Sequence, residues 1–194
     1  MTTLRYLTKN DIFDKQYNWW SRIYEYPVVL EVLENLGATE SSDIHNTSWG
    51  WEGCHVLFKT HLDNKYMNAV HSDIKHSSLE KTFIYDITHR PDNTLHQKFD
   101  FVLNISTVEE VNDDHVKIIR NLLDQVKFGG YLIMTFDYNR CNPNSRGSIQ
   151  LENVEKFFNV KLSDTDDKIS GVNSEIPNAR YESLNCGILV IQKK

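Results

Sequence analysis

The sequence predicts an α/β fold built on a mostly parallel sheet, and three features carry that expectation. Short apolar stretches at Asp43–Thr47, Ala69–Asp73, Thr82–Asp86, Phe101–Ile105 and Tyr131–Phe136 alternate with helical patterns, the signature of strand–helix–strand units. In the run Phe99-Asp-Phe-Val-Leu-Asn-Ile105 the residues Phe101, Val102, Leu103 and Ile105 leave no polar face, so this strand is expected to be covered on both sides. Polar Asn104 and Ser106 then gather at its carboxyl end, the place where open α/β sheets bind ligands.

Taken in chain order, Trp19 to Leu36 is the first helical segment, carrying Ile23, Val28, Val29, Leu30, Val32, Leu33 and Leu36. Pro27 marks its first turn or a kink, and Gly37 ends it. A helix from Gly53 to Leu62 places Val56, Leu57 and Leu62 on one side. A better defined one, Asn112 to Val126, has Asn112 or Asp113 as its cap and an apolar stripe of Val116, Ile119, Leu122, Leu123 and Val126. Gly129 and Gly130 are expected to stop it and turn the chain into Tyr131-Leu-Ile-Met-Thr-Phe136. A short helix follows at Leu151–Phe158, and Cys186-Gly-Ile-Leu-Val-Ile-Gln192 reads as the last strand. Loop-like composition marks Asn139 to Ser148 and Asp164 to Pro177. The expected division is one domain, 1–194, with a helical cap over 1–38 and the core over 39–194.

With 194 residues the chain is long enough to bury a core without disulfides or metals. Its net charge of −6 argues against a nucleic-acid surface, which needs clustered Lys and Arg, and favours a small or neutral substrate. Three widely spaced cysteines, Cys54, Cys141 and Cys186, fit reduced thiols in a cytoplasmic protein better than a disulfide framework. No apolar run has the length of a signal peptide or membrane span, so a soluble, intracellular protein without a membrane partner is expected. Among the eight histidines, His45, His55, His71 and His76 show no ligand spacing, and no metal is expected.

Several passages resemble class I S-adenosylmethionine-dependent methyltransferases. Ile105-Ser-Thr-Val-Glu-Glu-Val111 is similar to the "ISTxEHV" stretch after the family's fourth strand, and the helix, glycine pair and strand ending at Phe136 resemble its "LKPGGxLxxT" passage. Ser21-Arg-Ile-Tyr-Glu-Tyr-Pro27 resembles a "SRxxEYP" segment of small members, in which an N-terminal helix covers the cofactor. The resemblance runs from about Trp20 to Gln192. It implies a Rossmann-like seven-stranded sheet with helices on both faces and an antiparallel last strand. It also implies S-adenosylmethionine as cofactor and transfer of its methyl group to a small-molecule acceptor.

The resemblance distributes roles residue by residue. In Ile44-His-Asn-Thr-Ser-Trp-Gly-Trp-Glu-Gly53, Asn46 stands at the family's acidic position and Ser48 at its first glycine, while Gly50 and Gly53 let the loop bend. Asn46 can hydrogen-bond the amino-acid part of the ligand but supplies no negative charge. Asp73 takes the ribose hydroxyls; its alternative is a cap or turn residue. Asp86 partners the adenine amino group, with Ile87 against the ring, or else Asp86 is a turn aspartate before Thr88. Asn104 lies near the sulfonium, or is satisfied within the protein. Arg22 meets the ligand carboxylate, or pairs with Glu25 on a solvated helix face, while Tyr24 and Tyr26 line the lid or fill core.

Methyl transfer needs alignment and exclusion of water more than a catalytic triad. Candidates for a base are Glu109, Glu110 and His115 after the fourth strand and Asp137, with Tyr138, after the fifth. A solvated helix entrance is the alternative for both glutamates. The divalent-ion pattern E-x-x-E-H of quinone-pathway relatives is incomplete here, with Ser106 and Glu109-Glu110 in its place. Two other classes remain open: a methyltransferase-like binding protein without turnover, and an NAD(P)-dependent oxidoreductase, since Ser48-Trp-Gly-Trp-Glu-Gly53 also resembles Gly-x-Gly-x-x-Gly with its first glycine replaced.

Overall fold

The computed structural model describes residues 1–19, 21–47, 50, 52–139, 141–143, 147–170 and 184–194. The elements are β1 (Thr2–Tyr6), α1 (Arg22–Asn35), β2 (Asp43–Thr47), α2 (Cys54–Lys65), β3 (Asn68–Asp73), β4 (Thr82–Ile84), β5 (Phe99–Ile105), α3 (His115–Gln125), β6 (Val126–Asn139), α4 (Leu151–Phe158) and β7 (Leu184–Gln192). Seven strands make one sheet in the order β1-β7-β6-β5-β2-β3-β4. Neighbours from β6 through to β4 run parallel, and β7 is antiparallel to both β6 and β1. Strand order reverses between β2 and β5, which makes their carboxyl ends the switch point of the sheet.

The sheet is covered on both faces. Ile44, Phe101, Leu103, Ile105 and Ile133 pack beneath α1 and α2, while Phe99, Val102, Leu132, Met134 and Phe136 pack with Ile118, Ile119 and Leu122 of α3. That division bears out the apolar reading of β5, whose alternate side chains feed two separate cores.

Three local expectations are corrected and a fourth, for Pro27, is narrowed. In place of a purely helical cap over the first 38 residues, Thr2–Tyr6 forms an edge strand paired with β7 before α1 begins. Pro27 lies at the sixth residue of α1, past the first turn. It has no N–H to offer Ile23, and the Ile23 carbonyl accepts the Asp14 N–H at 2.8 Å, tying the preceding segment to the helix. The cap of α3 is Asp114, whose carboxylate accepts from the N–H groups of Val116 and Lys117, in place of Asn112 or Asp113. Finally, α3 stops at Gln125, and the glycine pair lies inside the long strand β6. There Gly129 adopts φ +84, and a Cβ on Gly130 would sit 2.5 Å from the Asp100 carbonyl oxygen. Gly130 serves the close approach of two strands and Gly129 a positive φ within β6, and neither is a helix stop.

Candidate functional site

A cleft of about 250 Å3 opens at the carboxyl ends of β2, β3 and β4 and beside the segment after β5. It is lined by Thr47, Asp73, Ile74, Tyr85, Asp86 and Ile87 on one side and by Thr107, Glu110 and Val111 on the other. The volume lies just under the roughly 300–1,000 Å3 of drug-sized ligand sites. Asp73 and Asp86, two of the residues singled out from sequence, therefore share one cavity with Ile87.

Both aspartates are already committed to local backbone. Asp73 is buried; its Oδ2 accepts the Gly50 N–H at 2.7 Å and its Oδ1 the Lys75 N–H at 2.9 Å. Gly50 reaches that position with φ +87, a conformation that strains any residue with a side chain. Each Asp73 oxygen keeps a lone pair for a further donor. Asp86 forms a local turn, accepting at Oδ1 from the Thr88 N–H at 2.9 Å and the Thr88 hydroxyl at 2.7 Å. Burial opposes its ionisation, but the Thr88 donors and nearby His89 outweigh it and hold its carboxyl below the ordinary aspartate value.

The strand residues behind the cleft point to alternate faces of the sheet. Asn46 and Ile44 face the α1 and α2 side, and the Asn46 amide meets His71 Nδ1 at 3.2 Å, while His71 Nε2 meets Asp63 of α2 at 3.1 Å. Asn46 does not line the cleft. On the other face His45 bridges Gln125 at 2.6 Å and Ser72 at 2.7 Å. Burial lowers the pKa of His45 to about 3 and that of His71 to about 4. Asn104 donates to the Thr47 hydroxyl at 2.7 Å, and its fully buried Oδ1 has no partner. It thus approaches the cleft through Thr47. The expectation for Ser48 falls outside the described residues.

A second constellation lies next to the cleft, at the carboxyl ends of β5 and β6 under the start of α1. Arg22 and Glu25 form an ion pair, as the sequence spacing allowed, but neither is on a solvated face: Arg22 is 4% exposed and Glu25 fully buried. Glu25 also accepts hydrogen bonds from Ser21 at 2.6 Å and from Ser106 and Thr135 at 2.5 Å each. Ser106 adopts φ +40 at the end of β5, and its hydroxyl meets Glu25. Burial works against the Glu25 carboxylate, yet the Arg22 charge and the three hydroxyls keep its pKa below the ordinary glutamate value.

Glu109 departs from the solvated-helix alternative. It is 3% exposed, its Oε1 accepts the Asp137 N–H at 2.7 Å, and its Oε2 is buried without a partner. Burial, followed by the Asp137 charge, pushes its pKa well above the usual carboxylate range. Asp137 is buried in the same place, while Tyr138 is half-buried against the α3-side core. Glu110 lines the cleft. His115 has both ring nitrogens engaged, accepting from the Gln150 N–H at 3.0 Å and meeting the Val111 carbonyl at 3.1 Å, so it is structural. His55 is a residue that spacing did not single out. At the start of α2 it bonds the Tyr26 hydroxyl, and it lies within electrostatic reach of Arg22, Glu25 and Asp73, linking the two constellations. Burial lowers its pKa to about 4. Tyr26 itself stacks on Phe58 with ring centroids 4.1 Å apart.

No family profile and no curated sequence matches the chain. Solved structures do. An S-adenosylmethionine-dependent methyltransferase from Clostridium acetobutylicum superposes with a TM-score of 0.60 at 12% identity, covering 88% of this chain and 91% of that one. The trans-methyltransferase CalH, solved as a complex with S-adenosylhomocysteine, gives 0.59 at 12% identity over 91% of this chain, which spans 57% of that protein. The [4+2]-cyclase SpnF gives 0.58 at 11% identity, covering 94% of this chain and 86% of that one. Together with the strand order, these matches establish the seven-stranded class I methyltransferase fold. The presence of a cyclase among them separates fold from reaction. Among the described residues no helix is long and apolar enough to cross a membrane.

Proposed function

We propose that the protein binds S-adenosylmethionine at the strand ends and transfers its methyl group to a small-molecule acceptor. The observation that carries this reading is the cleft itself, lying at the switch point of a methyltransferase fold with Asp73, Asp86 and Ile87 in its wall. Its residues suit a nucleoside: Asp73 retains acceptor capacity for ribose hydroxyls, Asp86 for the adenine amino group, and Ile74, Tyr85 and Ile87 offer apolar surface for the ring. Ile74 is 65% exposed, an apolar side chain that a bound base would cover. Toward β5, the buried Asn104 Oδ1 and the Arg22 Nε, neither of which has a hydrogen-bond partner, are the atoms we assign to an amino-acid moiety. When bound, the cofactor supplies an electrophilic methyl group. The chain's own work is to hold the nucleoside, bring the acceptor into line and keep water out.

Calorimetry with S-adenosylmethionine, S-adenosylhomocysteine and NAD tests the proposal. Tight binding of the two adenosyl ligands with no response to NAD is the expected result. Binding of NAD alone supports the oxidoreductase reading. Adenosyl binding without methyl transfer across a broad panel of labelled acceptors supports a binding protein without turnover.

A further inference from the structure

Ile118, Ile119 and Leu122 turn one side of α3 into the core, and Lys117, Arg120, Asn121 and Asp124 recur at helical spacing on another. These four line a second concavity, of about 390 Å3, a size within the range of small-molecule sites. Across it stand His89 and Arg90, on the far side of the turn whose near side, Asp86 and Ile87, walls the strand-end cleft. Thr88 touches both spaces. We propose that this second concavity binds the phosphate group of a small, hydroxyl-bearing phosphate monoester, held by the guanidinium groups of Arg90 and Arg120. It is separate from the adenosyl cleft and stands whether or not that cleft takes its cofactor.

Charge sets this concavity apart. The chain carries 27 acidic residues against 21 Lys and Arg, so carboxylates are in surplus and several lysines find one. Arg90 and Arg120 nevertheless make no salt bridge among the described residues. Asp124 follows Arg120 by four residues, the separation at which side chains pair along a solvated helix, yet that guanidinium lies 5.7 Å from the Phe157 ring centroid instead. Lys117 is already held by Asp113 at 2.8 Å, which makes it a secondary donor. Two uncommitted arginines on the wall of one concavity repel each other, and a bound anion removes that cost. Asp124 is the one acidic residue of the lining, and it suits a hydroxyl of the ligand's organic part rather than its phosphate.

The wall is braced before any ligand arrives. Asn121, 3% exposed, donates through Nδ2 to the Ile87 carbonyl at 3.0 Å and so pins the turn to α3. The His89 N–H donates to the Asp86 carbonyl at 3.0 Å, and the His89 carbonyl accepts the Tyr85 hydroxyl at 2.8 Å. The backbone is therefore fixed at the residue before Arg90, which lowers the ordering cost of binding. A planar guanidinium offers paired N–H groups to two phosphate oxygens, a match that a lysine ammonium does not provide. With a net charge of −6 the protein as a whole repels anions, so retention of a phosphate ester here must come from close contacts.

Calorimetry at about 0.15 M salt tests the site with glycerol phosphate, ribose phosphate, inorganic phosphate and the dicarboxylate malonate. Saturable one-to-one binding of at least one of the two esters is expected, with inorganic phosphate weaker and malonate weakest. Arg90 and Arg120 are exposed, so their replacement leaves the fold intact. Arg90→Gln and Arg120→Gln should each weaken the ester by about tenfold or more, whereas Lys117→Gln should weaken it by only about twofold, because Asp113 already holds that charge. In amide NMR spectra the ester should shift the Asn121 side-chain signal and leave the Gly50 N–H, which reports on the adenosyl cleft, unmoved. The proposal is overturned if neither ester binds, if the two arginine variants bind as wild type does, or if inorganic phosphate or malonate matches the ester. It is equally overturned if the Gly50 signal moves in place of Asn121, or if single-stranded RNA binds more tightly than the ester.

Discussion

The two ends of the strand-end site are built on opposite plans. Over β3 and β4 the chain leaves a cleft and ties its two aspartates to neighbouring backbone N–H groups and a threonine hydroxyl. Over β5 and β6 it lays a helix across the strand ends and buries an arginine and three carboxyl side chains beneath it. Carboxylates held by neighbouring backbone N–H groups on the wall of an open cleft cost less to keep than charges sealed under a helix, which are tolerated only while every partner is present. The open end is therefore where ligand affinity should respond to substitution, and the closed end is where stability should.

Removing one partner of the buried ion pair gives the largest effect. Glu25→Ala leaves Arg22 charged, 4% exposed and without its counter-ion, and strands the hydroxyls of Ser21, Ser106 and Thr135. Urea unfolding should show a loss of about 3–5 kcal/mol. A double replacement, Arg22→Met with Glu25→Leu, should recover most of it, since a buried pair contributes little net stability over apolar residues of similar volume. If the single variant were as stable as the wild type, the contrast between the ends would fail.

Acid probes the other half. His45 and His71 lie fully buried behind the cleft and are held neutral, with pKa values lowered to about 3 and about 4 from 6.5. The unfolded chain takes up these protons first. Their contribution to stability is complete above pH 6.5 and is lost as pH falls from there toward 4, at up to about 1.4 kcal/mol per pH unit for each histidine. Glu109 acts in the opposite sense: its raised pKa makes it favour the fold at low pH, and that contribution fades as pH rises through the folded value. Chemical denaturation between pH 7 and 5 should thus weaken the protein through these histidines together with His55, also lowered to about 4, and His45→Gln should flatten the slope by about a third. An unchanged slope would remove His45 from this account.

Next in size is a ligand effect at the open end. Asp73→Ala removes the acceptor for the Gly50 and Lys75 N–H groups together with the site for ribose hydroxyls. Calorimetry should show S-adenosylhomocysteine binding weakened by tenfold or more, about 1.4 kcal/mol. Unchanged affinity in a folded variant would take Asp73 out of the site.

The same division governs what could be read from sequence. Strand β5 and helix α4 were legible because periodicity and apolar content are local properties. The edge strand Thr2–Tyr6 was missed: five residues with only Leu4 and Tyr6 on the inward side acquire their meaning from β7, at the far end of the chain. The glycine pair was misread because the need for Gly130 comes from the Asp100 carbonyl on another strand. At the open end, Asp73 and Asp86 announced themselves as acidic residues closing apolar stretches. At the closed end, Glu109 read either as a base or as a solvated helix entrance, and Glu25 as half of a surface pair, since nothing in their neighbours in sequence reveals burial. What places them together is the register of β5 with β6 and the course of α1 over both.

The smallest expected effect is the most discriminating test of the open end. Asp86 sits in a turn with its side chain 32% exposed, and Asp86→Asn preserves the Oδ1 that accepts both Thr88 donors. Stability should therefore stay within about 0.5 kcal/mol of wild type. The substitution replaces Oδ2, which meets exposed His89 at 3.2 Å and is the oxygen open to an adenine amino group, with a donor that cannot serve it. Affinity for S-adenosylhomocysteine should fall by about two- to fivefold, roughly 0.5–1 kcal/mol, because an exposed hydrogen bond is worth no more than that. Because Asp73 and Asp86 act on different parts of the ligand and share no hydrogen-bond partner, the double variant should show nearly additive losses. A strongly non-additive result would mean that loss of Asp73 lets the Gly50 loop collapse into the cleft, and the open end would then depend on that tie as much as the closed end depends on its ion pair.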